Sequence, residues 1–400
     1  MSTVPADAVP GAIAHPAARS ISRARARLQS IDVLRGFVIV LMALDHVRAY
    51  FSNVHFDPLD LSQTDPALFM TRWITHLCAP TFIFLAGVSA YLMSRRCEAR
   101  ELRRFLVTRG IWLIVLEFTV VQFGWTFNFN YEVGLIMQVI WVIGASMIVL
   151  AGLVRWPHWS IGAFAILMIA GHNLLDGIPP SSFGAFAPLW NLIHAQGQTQ
   201  YAWILYPLVP WAGVMALGFF AGTLFELDAR KRQPILVAAG LACLALFALL
   251  RVANGYGDPH PWSSQSTSAS TLLSFIKVHK YPPSLLYLLV TLGVALPMLS
   301  AFEKFRGRFT DVLQTFGRVP LFVYVLHIVL AHLAAGLIAL AMGHGDTVLT
   351  SLFLSKPKEW GFGLLGVYAA WAGVMLVLYP ACRWFADLKR RRTEWWMAYL

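Results

Sequence analysis

Long apolar runs broken by short polar stretches recur along this 400-residue chain. A helix rises about 1.5 Å per residue and needs about 20 apolar residues to cross a hydrocarbon layer. On that rule the pattern predicts about ten transmembrane helices, near 34–53, 74–94, 105–125, 133–154, 159–176, 203–224, 235–252, 283–302, 318–341 and 360–382. The fifth and seventh are short for a span. The expected fold class is therefore all-α, a polytopic transmembrane helix bundle. Composition agrees: 58% of residues are hydrophobic, only 13% are charged, and mean hydropathy is +0.62. Soluble chains are less apolar and about twice as charged.

Charge then orients the pattern. Most of the 31 lysines and arginines fall near the N-terminus, in alternate connections such as RRCEARELRR, DARKRQ and EKFRGR, and near the C-terminus. The positive-inside rule places those segments, and both termini, in the cytoplasm, with the protein in the inner (cytoplasmic) membrane. The net charge of +11 is thus a topology signal, and nucleic acid is excluded as a partner. Four scattered cysteines (Cys78, Cys97, Cys243, Cys382) support neither a disulfide framework nor a thiolate metal site. We divide the chain into a disordered tail (1–29), a transmembrane catalytic region (30–230), C-terminal transmembrane helices (231–385) and a basic tail (386–400). The outer connections are the longer ones. Their Trp, Asn, Gln, His and Ser suit a sugar-like ligand, although solvated loop with interfacial aromatics is the plainer reading. The Ser/Thr-rich stretch after Trp262 is expected to be a mobile loop.

The first apolar helix, Ser30–Phe51, carries Asp32, Arg35, Asp45, His46 and Arg48. Ionisable groups at membrane depth are costly and usually line a cavity or a substrate path. Arg35 and His46 fall within roughly 20° on one helix face, about 16 Å apart along the axis. A neutral imidazole can take a proton from a hydroxyl or amine, and a guanidinium suits a phosphate. Against this stand a structural interhelical hydrogen bond for His46 and a snorkelling Arg35 paired with Asp32. Asp45 is placed to pair with Arg48 or another helix rather than with His46. Arg72 and His76 sit one turn apart at the outer start of the second helix, His55 lies in the first outer loop, and Glu117 is read as the partner of an arginine or histidine. Asn128, Asn130 and Glu132 lie at the outer end of the third helix. In the ninth helix His327 and His332 are five apart and share a face poorly, so neither haem nor metal is indicated. One faint echo remains: Gly36 precedes His46 by ten residues, as Gly317 precedes His327.

RLQSIDVLRGFVIVLMALDHVRAYF, DPLDLSQTDPALFMTRWITHLCAPTFIFLAG, KYPPSLLYLLVTLG and FGRVPLFVYVLH together resemble the catalytic-domain family of heparan-α-glucosaminide N-acetyltransferase, especially its prokaryotic members. The Arg35-to-His46 spacing is also similar to the R-x10-H pattern of membrane O-acetylases of surface glycans. The resemblance implies a membrane acyltransferase that takes an acetyl or other short acyl group from cytoplasmic acetyl-CoA or a related acyl-CoA. The acceptor would be a hydroxyl or amine on an extracytoplasmic sugar. It implies His46 as base and Arg35 at the acyl-CoA; Asp45 beside the one and Asp32 beside the other are candidates for the same two sites. His55 is the alternative base, nearer to where the animal lysosomal enzyme's histidine falls. Arg48, Arg72, His76, Glu117 and His327 are the expected substrate-binding residues, and no metal is expected. Implied partners are membrane lipid and a carbohydrate or glycolipid acceptor, with a homodimer allowed. The competing reading is a transporter or flippase that uses the buried His, Arg and Asp as a proton relay.

Overall fold

A computed structural model describes residues 16–392 except 130, 132, 133 and 345–355, with scattered positions after 392. Asn130, Glu132 and residues 1–15 of the expected tail lie outside the described residues. The chain runs through α1 (Pro16–Phe51), α2 (Pro66–Trp73), α3 (Cys78–Ser94), α4 (Ala99–Leu116), α5 (Gln122–Thr126), α6 (Val139–Leu153), α7 (His158–Gly171) and α8 (Ala187–Ile193). It continues with α9 (Leu208–Ala221), α10 (Ala229–Ala253), α11 (Ser268–Ile276), α12 (Leu285–Lys304), α13 (Arg308–Arg318), α14 (Pro320–Ala341) and α15 (Leu364–Arg391).

Among the described residues eight helices are long and apolar enough to cross a membrane, and α6 is a shorter apolar one. The helical bundle read from hydropathy is the fold. The spans over α2–α3, α9 and α12 are 61–67% buried inside the protein, whereas those over α7, α10 and α15 are 17–22% buried. Leu249, Leu365 and Leu376 on these outer helices are bare, which is tolerable only against lipid. The main hydrophobic core runs through both halves of the chain, from Ile31 to Phe385. The proposed division at residue 230 therefore does not mark separate cores.

In four stretches the local structure departs from, or adds to, what hydropathy alone shows. Residues 16–29, assigned to a tail, continue α1 without a break, because Ala, Arg and Leu favour helix there. At the other end α15 runs to Arg391, so residues 386–391 of the expected tail are helical. The fourth apolar run begins its helix only at Val139, because Leu135–Met137 is spent as strand β1. β1 pairs in parallel with β3 (Ala202–Ile204), which pairs antiparallel with β2 (Gly197–Gln198). In the Ser/Thr-rich stretch after Trp262, Thr267 caps α11 by accepting the N–H of Ser270 at 3.0 Å.

Two glycine crossings set the interior. A Cβ on Gly36 would stand 1.8 Å from the carbonyl oxygen of Leu313, and one on Gly317 would stand 1.8 Å from that of Asp32. The backbones of α1 and α13 thus touch, which only glycine permits. Gly87 on α3 and Gly218 on α9 make the same kind of crossing, each 2.0 Å from a facing carbonyl. From the first crossing α1 and the α13–α14 pair proceed side by side, and α12 and α15 pack against α1 as well.

Candidate functional site

A cavity of 360 Å³ opens beside α1 at the Arg35 end. Its polar lining is Arg35, Ser89, Arg109, Arg318 and Lys389, drawn from α1, α3, α4, α13 and α15. Its walls are apolar, with Ile39, Met42, Phe82 and Met147, and Tyr324 of α14 also lines it. Among the described residues no carboxylate lines it. A neighbouring depression shares Arg318 and Lys389 and adds Arg390 and Asp387. Arg35 is held in place: it donates to Asp32 Oδ1 at 3.2 Å, to the Gly317 carbonyl at 3.3 Å and to Ser89 Oγ at 3.1 Å. The guanidinium is fixed at the glycine crossing, yet it still borders the cavity.

His46 does not line that cavity. It stands behind Tyr324, whose ring centroid is 6.2 Å from that of His46 and 5.8 Å from that of His327. The two imidazoles form a pair: His46 Nδ1 and His327 Nε2 are 2.7 Å apart, with rings stacked at 5.0 Å. His327 Nδ1 is 2.8 Å from the carbonyl oxygen of Val323. A carbonyl can only accept, so Nδ1 of His327 carries the proton and its Nε2, in the neutral ring, is an acceptor. His46 must then donate from Nδ1, which leaves Nε2 of His46 as the nitrogen with the available lone pair. The pair thus assigns the tautomers and makes His46 Nε2 the basic atom. Trp125 closes one side, edge-on to His46 at 4.9 Å.

The remaining expected residues fall in three places. Asp45 lies between two cations, accepting from Arg48 at 3.0 Å and facing Arg72 at 3.4 Å, and does not orient His46. His76 is buried near that cluster, with its carbonyl accepting from Tyr287 at 2.8 Å and its ring edge-on to Tyr287. His55 is exposed in the loop after α1. Glu117 is buried in a π-helical turn, and its observed hydrogen bond is not to an arginine or histidine. Its Oε2 accepts the backbone N–H of Trp141 at 2.7 Å, in the first turn of α6. That corrects the expected pairing: the unsatisfied N–H groups and positive dipole end of a helix attract a carboxylate as a cation would. His332 is sandwiched by Tyr50 and Phe127 and bonds the Gly124 carbonyl, away from His327.

Sequence reasoning did not nominate Ser89, Arg109, Arg318, Tyr324, Trp125 or Lys389. One signal was present. The Gly36–His46 and Gly317–His327 echo is the crossing itself: two helices that touch at glycine and run side by side bring residues ten further on together.

A family model described as heparan-alpha-glucosaminide N-acetyltransferase, catalytic, matches residues 27–250, more than half of the chain. No curated protein matches the chain. The matched stretch contains Arg35, Asp45, His46, His55, His76 and Glu117, while Arg318, Tyr324, His327 and Lys389 lie beyond it.

Proposed function

This chain belongs to the heparan-alpha-glucosaminide N-acetyltransferase catalytic family, a family of membrane acetyltransferases, and from that premise we propose how it works. The donor is acetyl-CoA or another short acyl-CoA. The acceptor is a hydroxyl or amine on a sugar reached from the opposite side of the membrane. The observation that carries this is the cavity where Arg35, Arg109, Arg318 and Lys389 meet apolar walls, with Tyr324 between it and the His46–His327 pair.

The phosphates of the nucleotide head lie among the cations, where forked, charge-assisted hydrogen bonds are strong. The apolar walls suit the pantetheine arm, and the shared depression at Arg390 extends the cationic surface for a long ligand. The thioester is then carried towards Tyr324. His46 Nε2 removes the proton from the acceptor hydroxyl or amine as that atom attacks the thioester carbonyl. The carbonyl carbon gains a bond to the acceptor and loses its bond to sulfur. Coenzyme A leaves as thiolate and takes up the proton held on His46. His327 stabilises the transient imidazolium through Nε2, which already accepts from His46. Arg48, Arg72 and His76, at the other end of α1, are the side chains we assign to the acceptor's path, with both termini on the acyl-CoA side.

Calorimetric titration of the purified protein with acetyl-CoA tests the reading. We expect saturable binding to wild type and a clear weakening in Arg318→Ala. Absence of binding to wild type, or equal binding by the variant, overturns the donor assignment.

A further inference from the structure

The end of the bundle away from Arg35 holds a second group of chemically capable side chains. Arg35 bonds Ser89, which lies roughly 20 Å beyond His76 along the α2–α3 span. His76 in turn bonds Tyr287, close to the start of α12, and the backbone N–H of Leu285 there donates to Asn173 Oδ1 at 2.9 Å. Beside Asn173, on the turn His172–Leu175 that ends α7, His172 and Asp176 are one helical turn apart. His194 arrives from the C-terminus of α8, its N–H bound to the Trp190 carbonyl at 2.8 Å. One ligand atom from each of His172, Asp176 and His194 lies within 4.8 Å of the others.

We propose that His172, Asp176 and His194 form a binding site for a divalent transition-metal cation, Zn2+ by its donor set, that clamps the 176–202 connection onto the end of α7. Three observations carry it. His172 is 2% exposed, and among the described residues neither of its ring nitrogens has a hydrogen-bond partner. A buried imidazole without a partner is costly unless something fills that role. His194, 3% exposed, has its Nε2 3.4 Å from Asp176 Oδ1. That is long for a hydrogen bond but close to the edge of a tetrahedron built from metal–ligand bonds of about 2.0–2.1 Å. Asn173 Nδ2 donates to the other carboxylate oxygen, Oδ2, at 2.7 Å, so Oδ1 is the oxygen turned towards the histidines. Such outer support is how metal-binding carboxylates are oriented.

Two neutral imidazoles and one carboxylate favour Zn2+ over Mg2+ or Ca2+, which prefer all-oxygen shells. The fourth position is left for water or a ligand. Spacing along the chain could not reveal this site, because its third member comes from a separate helix beyond Pro179–Pro180. The site is independent of the acyl-transfer reading.

The test uses tag-free protein in detergent, stripped with a chelator, dialysed against Zn2+ and measured for bound metal. We expect about one Zn2+ per chain, reduced in His172→Gln and His194→Gln to the level of the stripped sample. Asp176→Asn should weaken binding by roughly 10-fold or more. His260→Gln with His279→Gln, at another histidine pair with rings 4.8 Å apart, should leave the stoichiometry unchanged. Should the His172 or His194 variant fail to fold, Co2+ loaded into wild type decides, since a tetrahedral site gives visible d–d bands. No bound Zn2+, stoichiometry unchanged in both histidine variants, or no such bands in wild type overturns the proposal.

Discussion

Charge is balanced differently at the two ends of α1. At the far end Asp45 lies between Arg48 and Arg72, and nearby Arg251 faces Asp258. Each of these three arginines has a carboxylate within reach. At the near end Arg35, Arg109, Arg318 and Lys389 border one cavity, where Asp32 holds Arg35 from outside the lining. Arg232 with Glu303, bonded at 2.8 and 2.9 Å, shows what a fully matched buried pair looks like in this protein. Paired charges fix helices. A surplus of one sign beside apolar walls is an arrangement for a ligand that brings the opposite charge.

The largest effect should come from the site between those ends. His46→Ala is expected to lower acetyl transfer by roughly 10²- to 10⁴-fold, the usual worth of a general base, while acetyl-CoA still binds in calorimetry. His327→Gln should cost less and shift the pH–rate profile, because it alters the partner of His46 Nδ1 and not the basic atom. Equal losses with unchanged profiles would mean that the pair does not act as described.

Arg35→Ala is expected next in size. Losing a charged hydrogen-bonding group costs about 1.5–3 kcal/mol, or roughly 10- to 100-fold in acetyl-CoA affinity. Arg48→Ala should leave that affinity alone, which is the direct check on the contrast between the two ends. Gly36→Leu should destabilise the fold by about 1–3 kcal/mol, read as a fall in melting temperature in detergent, because its Cβ meets a backbone carbonyl at 1.8 Å.

The smallest effect concerns Lys356, outside the spanning helices, which donates to the Ser52 carbonyl at 2.6 Å. Burial, and then the nearby Arg48, push its amine down to about 8 from an ordinary 10.5. Folding therefore disfavours its charged form. The penalty is present in full below pH 8 and is relieved as the pH rises from there towards 10.5. The melting temperature of wild type relative to Lys356→Met should rise over that window. A flat difference would place this lysine among the balanced charges.

Much of the fold was legible along the chain, and less of the site. The apolar runs at 74–94, 283–302 and 318–341 coincide with helices, and the run at 203–224 does so from Leu208 onward, after its first residues are spent in β3, because hydropathy is a local property. The run at 133–154 misled by its first residues, since three apolar positions serve a short strand as well as a helix. Arg35 and His46 could be singled out because the cost of burying charge marks them. Glu117 was marked by the same rule and given the wrong partner, because a helix N-terminus is a positive group that no residue letter displays.

The sequence alone determined that the protein is a bundle of membrane-spanning helices and that one of them carries a cation and an imidazole on a single face. Transfer of apolar residues out of water and the 3.6-residue turn are enough to settle both. Tertiary structure decided that His327 faces His46, that cations from four helices surround one cavity, and that His194 meets His172 and Asp176. These partners are far apart in the chain, and only the contact of glycine backbones and the packing of helix on helix sets which of them meet.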